Sequence, residues 1–132
     1  GDTTGMANPL AVAEIFSAAS RMGDVNLIAH FHDNRGVAIA NVYAALGAGA
    51  KTVDACLGGI GGEPKAIKLG LAGDQGNVAS EDLLTSLAAA GLETGVDPER
   101  LVVAGAIVEE IIGRQLLSKT QRANRSKAIE EV

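Results

Sequence analysis

The chain alternates between two spacings. Runs with helical periodicity are followed by short stretches that are apolar over most of their length and bounded by turn residues. Asn8-Pro9 sets an N-cap residue before a proline at the first helical position. Leu10, Val12, Ala13, Ile15, Phe16 and Ala19 then recur on one helical face until Gly23. Val25 to His32 reads as a buried strand, joined by Asp33-Asn34-Arg35-Gly36 to an Ala-rich helix from Val37 to Leu46 that closes at Gly47 or Gly49. Thr52 to Leu57 reads as a second strand, running into Gly58-Gly59-Ile60-Gly61-Gly62-Glu63-Pro64. Ser80 is expected to cap a third helix ending at Gly91, with Glu81 and Asp82 in the first turn, where the helix dipole favours negative charge. Asp97-Pro98 repeats the cap-plus-proline signal for a helix from Pro98 to Leu117, and the polar tail from Ser118 either extends it or frays.

Strands that are apolar on both faces need helices on both sides, so this order predicts an α/β protein with a parallel sheet. Aromatics make up 2% of the chain and Trp is absent, which leaves Ala, Val, Leu and Ile to build the core. A net charge of −5 argues against nucleic acid or an anionic membrane as partner, since both reward a basic surface. Cys56 is the only cysteine, so no internal disulfide forms and a reducing, cytoplasmic setting is expected. No apolar run is long enough to span a bilayer. Gly1-Asp2-Thr3-Thr4-Gly5 is neither a signal peptide nor a Met start, and it suggests a fragment.

His30 and His32 carry the most chemistry. Residues i and i+2 on a strand project to one face. Here they lie at the strand's C-terminal end, where parallel α/β barrels build their sites. Two imidazoles side by side suit a first-row divalent metal, and Asp33 could orient one ring; by spacing alone, two unrelated histidines remain the other reading. Asn77 follows Gly76 and precedes a capped helix, so its amide either completes a metal shell or makes a turn. The four glycines between Gly58 and Gly62 allow close approach to a ligand, a moving lid or a plain connection, and they match no nucleotide fingerprint. Glu63 and Asp2 are either proton-transfer groups or solvated surface charges. Cys56, expected in mid-strand, reads as a small packed hydrophobe rather than a nucleophile. Lys65 and Lys68 face an anionic substrate or keep the loop soluble.

In order, Gly1-Asp2-Thr3-Thr4-Gly5, His30-Phe31-His32-Asp33-Asn34-Arg35-Gly36 with Val37 to Asn41, Val53-Asp54, Gly59-Ile60-Gly61-Gly62 and Gly76-Asn77-Val78-Ala79-Ser80-Glu81-Asp82 resemble the hydroxymethylglutaryl-CoA lyase family. The wider group takes in isopropylmalate and homocitrate synthases and hydroxy-oxovalerate aldolases. The resemblance runs from Gly1 to about Leu117. It implies a (β/α)8 TIM barrel whose sixth strand ends at Gly1-Asp2-Thr3, with His30 and His32 on strand seven and the glycine loop after strand eight. Such a barrel takes about 250 residues, so 132 supply its C-terminal third to half, an incomplete barrel over residues 1–117 with a tail from 118 to 132.

By position, the resemblance makes His30, His32 and Asn77 ligands of Mg²⁺ or Mn²⁺. It places a fourth ligand, an Asp on the first strand beside a catalytic Arg, outside these residues. It implies cleavage of a 3-hydroxy-acyl-CoA such as 3-hydroxy-3-methylglutaryl-CoA to acetyl-CoA and a keto acid, with Asp2 and His30 as candidates for the proton steps. One departure stands out. The ketone-body lyases carry Cys directly after Gly-Gly, where this chain has Glu63, and the segment from Glu63 to Asn77 is several residues longer. Glu63 is therefore a candidate enolate acid or the mark of another substrate. A Claisen-type acyltransferase or an aldolase is the alternative enzyme, and a non-catalytic half-barrel that self-associates is the alternative from outside enzymology. The isolated chain is expected to bind metal weakly and to lack turnover.

Overall fold

The computed structural model describes residues 2–64, 68–70 and 76–124; Lys65 and the tail from 125 onward lie outside them. The chain forms two compact units, one from residues 1–54 with 61–78 and the other from 55–60 with 79–132. Among the described residues no helix is long and apolar enough to cross a membrane.

In the first unit, helix α1 (Pro9–Ser20) opens as its sequence dictates, with the Asn8 side chain accepting from the Ala11 N–H at 3.1 Å ahead of Pro9. It packs along α2 (Ala38–Gly47). Between them in sequence lies β1 (Ile28–His30), which pairs in parallel with β2 (Thr52–Asp54) in the register Ile28–Thr52, Ala29–Val53, His30–Asp54. Ala29, Phe31, Ala38, Val42, Ala45 and Val12 form the buried centre, and the Phe16 and Phe31 rings meet at 6.3 Å. Burying a side chain such as Val42 stabilises by about 1.5–3 kcal/mol.

Both strands are shorter than their sequence patterns. The expected buried strand from Val25 to His32 contracts to three residues, and Val25 and Ile28 are half-exposed. The reason is the partner: β2 offers only three ladder positions, and a strand extends no further than its neighbour pairs with it. Beyond each strand an isolated bridge takes over. In the first unit His32 pairs antiparallel with Asn77; in the second Cys56 pairs parallel with Ala79. Cys56 therefore lies past the strand rather than within it.

The second unit is organised by two neighbouring acids. Leu57–Gly59 forms one 3₁₀ turn against which α3 (Ser80–Ala89) and α4 (Pro98–Ile112) pack, and α5 (Lys119–Ala123) packs on those two helices. Ser80 is not the cap of α3. Ala79 holds that position without a side-chain bond, and the Ser80 N–H is taken by the Cys56 carbonyl. Glu81 and Asp82 do more than meet a helix dipole. Glu81 is buried, and both its oxygens accept from the Gly58 N–H at 2.8 and 2.9 Å. Gly58 sits at φ +57°, and a Cβ there would strike the Leu116 side chain. Helix α4 ends at Ile112, five residues before the expected Leu117, and the chain leaves it through Gly113 in the left-handed region. It can then turn Leu116 back under Gly58, with the Leu116 N–H on Glu109 at 2.7 Å.

Asp82 holds α5. Its carboxylate accepts from the Ser118 hydroxyl at 2.8 Å and from the N–H groups of Lys119 and Thr120 at 3.0 and 2.7 Å. Burial alone would raise its pKa, but the bonds from Thr120, Lys119 and Ser118 outweigh that and hold it below the usual 3.8. For Glu81 burial is the largest effect and the net shift is upward from 4.5, despite bonds from its own and the Gly58 N–H. A depressed carboxylate contributes stability above its unfolded pKa and loses it as pH falls through the folded value. Asp82→Asn is therefore expected to destabilise the chain by about 1–2 kcal/mol at pH 7. In urea titrations the gap from wild type should close as pH drops below 3.8; a constant gap would contradict this account.

Candidate functional site

The first unit contains an open cavity of about 360 Å³ lined by Thr3, His30, His32, Gly62, Glu63 and Asn77. Three backbone arrangements bring these residues together. His30 at the end of β1 and His32 in the extended chain just beyond it share one face, as their i, i+2 spacing requires, and their rings stand edge-to-face with centroids 5.1 Å apart. The His32–Asn77 bridge, reinforced by the Asp33 N–H on the Gly76 carbonyl at 2.8 Å, carries the amide to the same place. Gly76 lies so close to Gly61 and Gly62 that a Cβ would overlap the Gly61 carbonyl, and this fit draws Gly62 and Glu63 to the rim.

Each imidazole has an oxygen at its Nδ1. His32 is buried, and its Nδ1 lies 2.6 Å from the Asp2 backbone carbonyl. A carbonyl can only accept, so Nδ1 carries the proton and Nε2 keeps its lone pair. His30 is half-exposed, and its Nδ1 lies 3.5 Å from the Asp54 carboxylate. Among the described residues no group of three or more His, Cys, Asp and Glu side chains is arranged to hold a metal ion. The donor set is thus two imidazoles plus the Asn77 amide, which fits a first-row divalent cation that takes its remaining positions from water, substrate or residues elsewhere.

Asp2 enters differently from the other expected site residues. Its side chain is not among those lining the cavity; Oδ1 accepts from the N–H groups of Met6 and Ala7 at 2.9 and 3.2 Å. Its Oδ2 is buried with no hydrogen-bond partner. The loop from Asp2 to Ala7 is tied down by Asn41, whose amide donates to the Ala7 carbonyl at 3.0 Å, and by Arg35 on the Thr4 carbonyl. The Asp33 Oδ1 accepts from the Ala38 N–H at the start of α2 at 2.9 Å. Two residues of the site were not singled out by the sequence pattern. Thr3 could have been found as the neighbour of Asp2, but Asp54 is brought to His30 only by the strand register.

A family profile described as HMGL-like matches residues 1–108. The chain belongs to this family. A hydroxymethylglutaryl-CoA lyase from Pseudomonas mevalonii is 41% identical over 97% of this chain and 38% of its own length. An (R)-citramalyl-CoA lyase from Chloroflexus aurantiacus is 40% identical over 87% of this chain and 35% of its own. The solved HMG-CoA lyase from Bacillus subtilis superposes with a TM-score of 0.84 at 36% identity, covering 95% of this chain and 41% of that one. The fold is accordingly part of a (β/α)8 barrel, and the chain spans about two fifths of the relatives it matches.

The close fit at Gly76 gives a direct test of how the cavity is built. Gly76→Ala is expected to cost about 1–3 kcal/mol in thermal or urea unfolding, as an overpacked backbone contact. A loss below about 0.5 kcal/mol, the scale of an ordinary surface substitution, would show that the loop and the bridge are not in contact in solution.

Proposed function

We propose that this chain supplies the metal-binding part of a divalent-metal-dependent carbon–carbon lyase acting on a 3-hydroxy-acyl-CoA. The observation that carries the reading is the cavity itself, where two imidazoles, each with an oxygen facing its Nδ1, converge with an amide and a carboxylate. The names of its relatives, lyases of hydroxymethylglutaryl-CoA and citramalyl-CoA, supply the substrate class.

His30, His32 and Asn77 would hold Mg²⁺ or Mn²⁺, which when bound supplies Lewis-acid polarisation of the substrate's oxygens. His30, which lines the cavity, and Asp2, whose carboxylate lies off its wall, are the two candidates for taking the substrate's hydroxyl proton. The carbon–carbon bond then breaks, the hydroxyl carbon becomes the ketone of the keto acid, and the electron pair leaves on the thioester side as an enolate. Glu63, on the cavity wall where the ketone-body lyases have a cysteine, donates the proton that converts this enolate to acetyl-CoA. The single cysteine and the acidic surface suit a reducing, cytoplasmic setting.

A second reading, a non-catalytic half-barrel that self-associates, is favoured by the exposure of Leu10, Ile15, Met22 and Ile28 on the first unit. Calorimetric titration of the chain with Mn²⁺, together with sedimentation of the same samples, separates the two. The lyase reading expects weak, saturable binding that disappears in His30→Ala/His32→Ala; equal binding by both proteins would remove the site, and a dimer without binding would favour the second reading. The isolated chain is expected to release no acetyl-CoA. A protein in which these residues complete the barrel should cleave 3-hydroxy-3-methylglutaryl-CoA or citramalyl-CoA, and the keto acid formed identifies the substrate. Failure to cleave either thioester would overturn the assignment.

A further inference from the structure

The two imidazoles are held in different ways. His32 rests against a backbone carbonyl, which no substitution at that position removes. His30 faces a side chain, the Asp54 carboxylate, and the contact follows from the fold: His30 and Asp54 are Cα partners in the parallel β1–β2 ladder, so their side chains leave the sheet on the same face. The Nδ1–Oδ2 separation of 3.5 Å is long for a hydrogen bond, and the two side chains are 39% and 56% exposed. A pair this wet adds little stability. Its consequence is orientation.

We propose that Asp54 is the positioning residue for His30: its carboxylate accepts the Nδ1 proton, fixing the tautomer and ring direction that leave Nε2 to the cation shared with His32 and Asn77. The inference rests on the metal-site reading for its purpose, but not for its geometry. A neutral imidazole in water favours the proton on Nε2, the nitrogen a metal needs bare. Something must reverse that preference before the ligand set is ready. Asp54 is the carboxylate recorded at the His30 Nδ1. Carboxylate partners of ligating histidines set the tautomer and strengthen the donor in this way, and their loss typically lowers metal affinity about 10–100-fold.

The test has one arm without metal and one with it. With the rings neutral, ¹⁵N-resolved NMR of the chain should find His30 protonated on Nδ1, and Asp54→Ala should move that proton to Nε2. His32 is the internal control, since its backbone acceptor survives the substitution. Asp54→Asn keeps an acceptor oxygen in the same place, so it should retain the Nδ1–H form even if the alanine variant folds poorly. In calorimetric titrations with Mn²⁺, Asp54→Ala should weaken binding about 10–100-fold and Asp54→Asn by less. His30 protonated on Nε2 in the wild type, or a tautomer indifferent to Asp54→Ala, would overturn the proposal. A tautomer that follows Asp54 in a chain that binds no Mn²⁺ would uphold the positioning and defeat the metal reading instead.

Discussion

The candidate site depends on one backbone bridge, between His32 and Asn77, and that bridge depends on a residue with no side chain. Asp33 donates to the Gly76 carbonyl, while Gly76 itself lies against Gly61 and Gly62 with no room for a Cβ. Three segments distant in sequence thereby meet within hydrogen-bond distance. His30 comes from the end of β1 and His32 from just beyond it, the amide from the bridge partner, and Glu63 from the end of the glycine loop. Remove the close approach at Gly76 and each side chain keeps its chemistry but loses its neighbours. Backbone packing is therefore the first determinant of function here, ahead of any property of the polar groups.

A second layer of control lies behind the imidazoles. Ring direction is set by what each Nδ1 meets, an Asp2 carbonyl for His32 and the Asp54 carboxylate for His30. The Asp2 loop is in turn anchored by its own carboxylate on Met6 and Ala7, by Asn41 from α2 and by Arg35. Polar groups that never line the cavity thus decide which nitrogen the cavity sees. Asp2 spends one carboxylate oxygen on its loop, and the other is buried without a partner.

Within the second unit, two adjacent carboxylates show how environment separates like residues. Glu81 and Asp82 share the first turn of α3, where the macrodipole treats them alike. Glu81 is buried with one N–H donor from the 3₁₀ turn, and desolvation prevails; Asp82 gathers a hydroxyl and two N–H groups from the start of α5, and hydrogen bonding prevails. Their pKa values move in opposite directions. The first pins the turn at Gly58, and the second pins a helix that begins more than thirty residues later.

Much of this was legible from the chain alone. The helix starts at Asn8-Pro9 and Asp97-Pro98 are local chemistry, a side-chain cap and a ring-fixed φ, and they stand where the residues put them. The shared face of His30 and His32 is a consequence of the two-residue period of a strand, and the family is legible in the order of the motifs. What sequence could not supply was anything that depends on a partner. Strand lengths were set by the neighbouring strand, the cap of α3 by a carbonyl from Cys56, and the end of α4 by the need to return Leu116 beneath Gly58. Asp54 became the neighbour of His30 through register alone. Local periodicity and capping are encoded within a few residues; the position of an acceptor, the dielectric around a carboxylate and the space beside a glycine belong to contacts made across the fold, and only the folded chain decides them.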